Sequence, residues 1–418
     1  MNDRIIAHYL IETAQDPTAA AEMMAGEQSA GTFVRVPGET PELLAAHGAR
    51  VEKLTLLDAV DSAALPGSKL PKTFDGKFQR AQVTLSFPFA NIGASLTALF
   101  STVAGNLFEL GAFSGLKLLD VEIPTGVAAA YRLPAFGVAG TRRLAGVTDR
   151  PLFGTIIKPS VGLTPDQTAD LVRTLCEAGL DFVKDDELQT NSPHSPLEAR
   201  VKAVMRVINN HAERTGKKLM YAFNITGDLD DMRRGHDIVL AHGGTCVMIN
   251  LISVGFVGVI ELRRHAQLPI HGHRAGWGMF NRHPLLGIEF PAFSKFMRLA
   301  GVDHLHVNGL RNKFCETDAS VINSARDLLT PMPEIGAVVL PVFSSGQSAK
   351  QIPDTFAALG SKDWLYLAGG GIMAHPNGAA AGVHALQQAW DAARTGTPLS
   401  EYARTHIELA NALERFGG

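Results

Sequence analysis

The chain has 418 residues, 46% of them hydrophobic and 19% charged, with a formal net charge of -3. That length holds one large and one smaller domain, and the near-neutral balance gives no support to a nucleic-acid or bulk-membrane binder. Cys176, Cys246 and Cys315 stand far apart in no zinc or CxxC spacing, which reads as reduced thiols of a cytoplasmic protein; "MNDRIIAHYL" lacks the features of a signal peptide, and no apolar run is long enough to cross a bilayer.

In chain order, "RIIAHYLIET", "TFVRVP", "ARVEKLTLLDAV" and "RAQVTLSFPF" read as strands, with helical "PTAAAEMMAGEQ" and "SLTALFSTVAGNLF" among them. They predict a separate α+β domain at the amino terminus. From about residue 150 the pattern changes. The runs "LFGTIIKP", "DFVKDDE", "LMYAFNIT", "TCVMINLI", "LPIHGHRA", "DHLHVNG", "VVLPVFSSG" and "WLYLAGGG" are short and nearly continuously apolar, and each ends in polar or glycine residues. Strands buried on both faces of a parallel sheet read this way. Helical patterns lie between them, such as "TPDQTADLVRTLCEAG", with Thr164 as N-cap, Pro165 at the first helical position and Gly179 as stop. The carboxy-terminal stretch from Ala380 to Phe416 is also helical in pattern.

Repeated strand–helix units predict a closed (β/α)₈ barrel, with a doubly wound open sheet as the rival arrangement. The polar residues favour the barrel. Lys158, Lys184, Asp186, Glu187, Asn224, His273, Arg274, His306, Ser344 and Gly369 all fall at the carboxy-terminal ends of the runs, the rim on which barrel enzymes assemble their sites. "DFVKDDE" (Asp181–Glu187) reads in two ways. It is a solvated charge cluster at a strand end, or a site where two carboxylates and a third anionic oxygen hold a hard cation such as Mg²⁺. The second reading requires Lys184 to be neutralised or modified, since an ammonium cannot ligate.

These residues resemble the RuBisCO superfamily, and more closely its non-carboxylating RuBisCO-like (form IV) members. The resemblance is carried by "GTIIKPSVGL", "GLDFVKDDE", "HGHRAGWG", "DHLHVNGLRNKF", "LPVFSSG" and "LAGGGIMAHPNG" in family order, with "GEQSAGTF" and "VAGN" in the first domain. It implies a TIM barrel over residues 126–418 after an α+β, ferredoxin-like domain over 1–125. It also implies that Lys184 reacts with CO₂ to form a carbamate, which with Asp186 and Glu187 holds Mg²⁺. Asp185 points away, to a salt bridge or solvent. Lys158 becomes an acid/base in enolisation, and His273 handles a proton on the substrate. Arg274, His306 and Ser344 match one phosphate site; Thr32, Gly346, Gly369 and Gly370 match the other. Glu27, Thr32 and Asn106 match segments that one subunit of a homodimer contributes to its partner's site, with no small subunit expected. Lys313, seven residues after His306, matches the mobile-loop lysine that contacts a carboxylate. His271 and His304 match no role in the family and read as structural.

Three departures from the family pattern stand out: Ser160 where a second lysine is expected, Trp277 where a histidine is, and Phe33 where a tryptophan is; the first two argue against ribulose bisphosphate carboxylation. What remains implied is a Mg²⁺-dependent enzyme forming an enediolate from a phosphorylated, sugar-derived substrate. Its expected reaction is decarboxylation, or transcarboxylation with hydrolysis, of a 3-oxo sugar-acid phosphate of the 3-oxo-isoapionate 4-phosphate type. Two alternatives stand beside it: an isomerase or enolase of a methylthio-sugar phosphate, and a non-catalytic sugar-phosphate binder. Asn106 weighs against the first, because the methionine-salvage enolases carry a lysine there.

Overall fold

The computed structural model describes residues 4–31 and 36–417. Most of the strand expected at "TFVRVP", and Thr32 and Phe33 with it, lies outside the described residues. In chain order the strands are β1 (Arg4–Thr13), β2 (Arg50–Val60), β3 (Phe78–Pro88), β4 (Phe113–Glu122), β5 (Leu152–Ile156), β6 (Phe182–Lys184), β7 (Met220–Asn224), β8 (Cys246–Asn250), β9 (Ile270–His273), β10 (Leu286–Ile288), β11 (His304–His306), β12 (Leu340–Phe343) and β13 (Leu365–Leu367). They belong to two compact units. One runs to Tyr131 and takes in Gly276–Leu299; the other comprises Arg132–Ala275 and the chain from Ala300.

The first unit is a mixed sheet in the order β10-β4-β1-β3-β2, with helices Pro17–Glu27 and Leu96–Ala104. Strand β1 shows why it forms: Ile5, Ala7, Tyr9 and Ile11 alternate into the core while the residues between them are half-buried. Asp16 caps the first helix by accepting the Ala19 amide, with Pro17 next in line. Strand β4 is a strand that sequence pattern does not mark. Its Lys117 is buried, and the ammonium reaches Glu289 at 2.9 Å and the carbonyls of Asn281 and His283 at 3.0 and 2.8 Å.

The second unit is a closed barrel of eight parallel strands in the order β11-β12-β13-β5-β6-β7-β8-β9. All eight runs read as barrel strands are barrel strands. The helix over Pro165–Glu177 has the expected cap, reinforced by a return bond that the Thr164 amide donates to Gln167 Oε1; Gly179 follows it in the left-handed region, at φ +76. Period two along the strands fixes what faces inward. Leu152, Phe182, Met220, Ala222, Cys246, Met248, Leu340, Val342, Leu365 and Leu367 pack into one core cluster. Each fully buried Leu, Val, Phe or Met of the cluster stabilises by roughly 1.5–3 kcal/mol. Two or four residues further on in the same phase stand Lys184, Asn224, Asn250, Ser344 and Gly369, and Lys158 stands six beyond Leu152. The phase that builds the core therefore ends by aiming polar groups at the carboxy-terminal mouth. Among the described residues no helix is long and apolar enough to cross a membrane.

Candidate active site

The end of β6 is a fully engaged polar cluster. Lys184 is buried; its Nζ donates to the Asp185 carbonyl at 2.9 Å and lies 3.6 Å from Glu187 Oε2. Burial holds its amine below the usual lysine range, against the opposing pull of Glu187, Asp186 and Asp185. Burial alone would raise the Glu187 carboxyl; Lys184, a backbone hydrogen bond and Lys158 outweigh it and hold the group below the usual carboxylate range. Lys158, beyond the end of β5, donates to Asp186 Oδ2 at 2.6 Å and to Ser160 Oγ at 2.9 Å. Ser160, noted in the sequence only as a missing lysine, is thus a partner of Lys158.

Asp185 points the other way, as period two requires. It accepts from Arg200 at 3.1 Å, the Tyr221 hydroxyl at 2.6 Å and the Asn224 amide at 2.9 Å, all out of solvent. Asn224 and Asn250 then clamp the turn through the Glu187 carbonyl, at 3.1 and 2.9 Å. Asn250 Oδ1 is a buried oxygen with no hydrogen-bond partner among the described residues. Asn250 was not singled out in the sequence, though it ends β8 in the inward phase.

Beside this cluster lie four histidines. His273 Nε2 is 3.6 Å from Glu187 Oε2, and its Nδ1 accepts the Ala275 amide, so the neutral ring carries its proton on Nε2. Burial, then Lys184, push His273 well below the usual histidine range. His306, His271 and His304 form a chain down the barrel. Thr141 Oγ1 donates to the Gly137 carbonyl at 2.5 Å and so accepts from His304 Nε2 at 2.7 Å. His304 Nδ1 accepts from His271 Nδ1 at 3.3 Å, His271 Nε2 from His306 Nε2 at 2.8 Å, and His306 Nδ1 from the Ser344 hydroxyl at 3.0 Å. One bond direction satisfies every member with all three rings neutral. Burial pushes His304 down to about 3 and His271 and His306 well below the usual range. In this arrangement His306 is not a charged donor, as a phosphate-binding imidazole would be; both of its nitrogens are taken by the protein.

Arg274 is buried and paired with Glu316 at 2.5 Å, a partner that the sequence did not suggest. Lys313 is exposed. Its amide donates to the Ser345 carbonyl at 3.4 Å, and its ammonium lies 5.3 Å from the Phe314 ring centroid. The described contacts do not bring that ammonium to the Lys184 cluster. Gly346 has φ +82, a conformation suited to glycine. Gly369 begins a short helix, Gly369–Met373, and a Cβ there would touch the Lys158 stem at 3.8 Å. A Cβ on Gly370 would meet open space, whereas one on Gly371 would strike the Gln347 carbonyl at 2.4 Å.

In the other unit, Glu27 closes the first helix and Asn106 opens a 3₁₀ turn; Asn106 Nδ2 donates to Glu27 Oε1 at 3.4 Å. Trp277 packs against Phe293, ring centroids 4.5 Å apart, so its side chain is spent on an aromatic core. A further group, His236, Asp237 and His265, has ligand-type atoms within 4.8 Å of one another. There His236 Nε2 accepts the Gln267 amide at 3.0 Å, so Nδ1 holds the proton that Asp237 receives at 2.9 Å. That tautomer leaves His236 no free lone pair for a metal.

The sequence matches two family descriptions: the ribulose bisphosphate carboxylase large chain amino-terminal domain over residues 1–127, and its catalytic domain over 137–416. A 3-oxo-isoapionate-4-phosphate transcarboxylase/hydrolase of Xanthobacter autotrophicus is 54% identical over 414 residues, covering 99% of both chains. A 3-oxo-isoapionate-4-phosphate decarboxylase of Rhizobium etli is 44% identical over 410 residues, 98% of this chain and 97% of the relative. The crystal structure of a RuBisCO-like protein from Burkholderia fungorum superposes with a TM-score of 0.92 at 48% identity, covering 99% of this chain and all of that one. With the closed barrel, the inward-phase lysines and acids and this full-length similarity together, the chain belongs to the RuBisCO large-chain family, as a RuBisCO-like protein of the form IV type.

Proposed function

We propose that this enzyme cleaves a carbon–carbon bond in a phosphorylated 3-oxo sugar acid of the 3-oxo-isoapionate 4-phosphate type, by way of an enediolate. The observation that carries the reading is the convergence at one barrel mouth: Lys158 on Asp186 at 2.6 Å, Lys184 near Glu187 at 3.6 Å, and His273 near the same carboxylate at 3.6 Å. The names of the relatives at 54% and 44% identity support the substrate class.

Lys184 as a carbamate, Asp186 and Glu187 would hold Mg²⁺. The fit rests on the donor chemistry. The buried Lys184 amine has a lowered pKa and reacts with CO₂ as a free base, and the set is then all oxygen, as a hard cation prefers. When bound, Mg²⁺ supplies a concentrated positive charge that stabilises enediolate oxygens.

The chain's own residues do the rest. Lys158, held between Asp186 and Ser160, moves a proton at the carbon beside the carbonyl. His273, a neutral ring, donates a hydrogen bond from Nε2 to the oxygen on which negative charge develops. Lys313 swings in to hold the substrate carboxylate, and the backbone at Gly346, Gly369 and Gly370 receives the phosphate. We read the protein as a homodimer in which Glu27, Thr32 and Asn106 complete the site of the other subunit; a fully active monomer in sedimentation runs would rule that out.

Carboxyl transfer followed by hydrolysis consumes one water and leaves two acids, with no CO₂. Decarboxylation leaves CO₂ and a ketose phosphate. The name of the 54%-identical relative favours the first outcome. Lys313→Ala should depress carbon–carbon cleavage about 10²-fold or more, while deuterium wash-in to a carboxylate-free analogue survives; Lys158→Ala should depress both. Equal loss in both assays for Lys313→Ala would make that lysine a general loop-closure residue instead.

The glycines give a steric test. Gly370→Ala has room for its methyl, so the fold should persist while inhibition by inorganic phosphate weakens by roughly tenfold. Gly371→Ala should instead destabilise the protein by about 1–3 kcal/mol, read as a lowered Tm, because its methyl meets backbone. Unchanged phosphate inhibition in Gly370→Ala would move the phosphate elsewhere.

A further inference from the structure

We infer that Glu316 closes one end of this substrate cavity to phosphate, so that the enzyme takes a sugar acid carrying a single phosphate, seated at the opposite, glycine-lined end. The inference rests on the reading of the barrel mouth given above, and adds to it a residue that selects the substrate.

Glu316 follows β11 by ten residues and reaches back to the end of β9. Its Oε2 accepts from Arg274 Nη2 at 2.5 Å and from Asn308 Nδ2 at 2.6 Å; its Oε1 accepts from the Ser320 hydroxyl at 2.9 Å. Its backbone carbonyl accepts from Asn312 Nδ2 at 3.1 Å. The side chain is 15% exposed and that of Arg274 is 5% exposed. An anion with two oxygens shared among a guanidinium, an amide and a hydroxyl is what a bound phosphate would look like there. The protein supplies that anion itself.

The neighbouring groups are committed in the same sense. The Ser344 hydroxyl gives its proton to His306 Nδ1, and His306 Nε2 gives its own to His271. Neither ring nitrogen is left to donate to an incoming oxygen. The formal charge of Arg274 is cancelled by Glu316, so a dianion arriving at this end would meet a carboxylate in a buried setting, where like charges repel strongly.

The backbone is arranged to keep Glu316 in place. Asn308 sits in the left-handed region at φ +66 and Ser345 at φ +71, although neither is glycine. The two are joined by a 2.9 Å bond from Ser345 Oγ to Asn308 Oδ1, which leaves the Asn308 amide to donate to Glu316. Strained backbone persists where its surroundings over-determine it, and it concentrates at functional sites. At the end of β13, the open space above Gly370 leaves backbone accessible.

Isothermal titration of the Mg²⁺- and bicarbonate-loaded protein with ribulose 5-phosphate and ribulose 1,5-bisphosphate tests this. Wild-type protein should bind the bisphosphate no more than about threefold tighter than the monophosphate. Glu316→Gln, nearly the same shape without the charge, should tighten the bisphosphate by roughly tenfold or more and move the monophosphate by less than about threefold. A wild-type preference for the bisphosphate above about tenfold overturns the inference without any variant. So does a Glu316→Gln protein in which both ligands shift equally or neither shifts; monophosphate binding would then leave the barrel-mouth reading standing. Wild-type protein that binds neither ligand overturns both.

Discussion

Lys184→Ala protein should remain folded and lose at least about 10³-fold in turnover of a 3-oxo sugar-acid phosphate, with no gain on preincubation with CO₂ and Mg²⁺. Wild-type protein should gain activity under the same treatment. The size of the effect follows from position. Lys184 is buried at the end of β6, and only as a carbamate can it join Asp186 and Glu187 in an all-oxygen set. Without it two carboxylates remain, one of them bonded to Lys158. Burial lowers the pKa of the amine, so activation by CO₂ should begin at a lower pH than for an exposed lysine, because the free base is the reacting form. Kinetics with and without bicarbonate read the loss, and the carbonyl carbon signal after exposure to ¹³CO₂ reads the carbamate. A Lys184→Ala enzyme with wild-type rate in bicarbonate-free buffer would refute the carbamate.

The barrel should also be steeply acid-sensitive. His271, His304 and His306 are buried and neutral, and burial holds each below its ordinary value, His304 at about 3. In the unfolded chain the same rings titrate near pH 6.5. The folded pKa is the lower one, so the unfolded state binds more protons as pH falls. Stability is therefore full above about pH 6.5 and is lost progressively below it, down to the folded values. Three such groups contribute a slope of roughly 4 kcal/mol per pH unit at its steepest. Urea denaturation at a series of pH values measures the slope. His304→Gln should reduce it by about 1.4 kcal/mol per pH unit, since one titrating ring is gone and a hydrogen-bonding side chain remains. Stability flat between pH 7 and pH 5, or protonated imidazole shifts in native protein at pH 5.5, would contradict the neutral chain.

The parts of this structure that period two controls could be read from sequence. Each barrel run is short, apolar and closed by a polar residue, so the phase that fills the interior also delivers Lys158, Lys184 and Ser344 to the mouth. Strand β4 was not visible because Lys117 stands among its buried positions, satisfied by Glu289 and two carbonyls from far along the chain. Strand β10 has three residues and pairs in parallel with β4; nothing local announces that Gly276–Leu299 joins the first unit. Glu316 was illegible for the same reason. A loop glutamate reads as solvated until the fold brings Arg274, 42 residues away, against it. The family pattern assigned His306 to phosphate; the hydrogen-bond directions that commit both of its nitrogens appear only in three dimensions.

The most direct measurement is a carbon-13 NMR time course of wild-type protein with uniformly ¹³C-labelled 3-oxo-isoapionate 4-phosphate, run with Mg²⁺ and bicarbonate and repeated in excess chelator. Two acid products, or labelled CO₂ with a ketose phosphate, appearing only in the metal-containing run, is the predicted result; the two-acid outcome is expected. An intact substrate in both runs, with solvent deuterium entering a methylthio-sugar phosphate that keeps all its carbons, would contradict carbon–carbon cleavage and make the protein an isomerase.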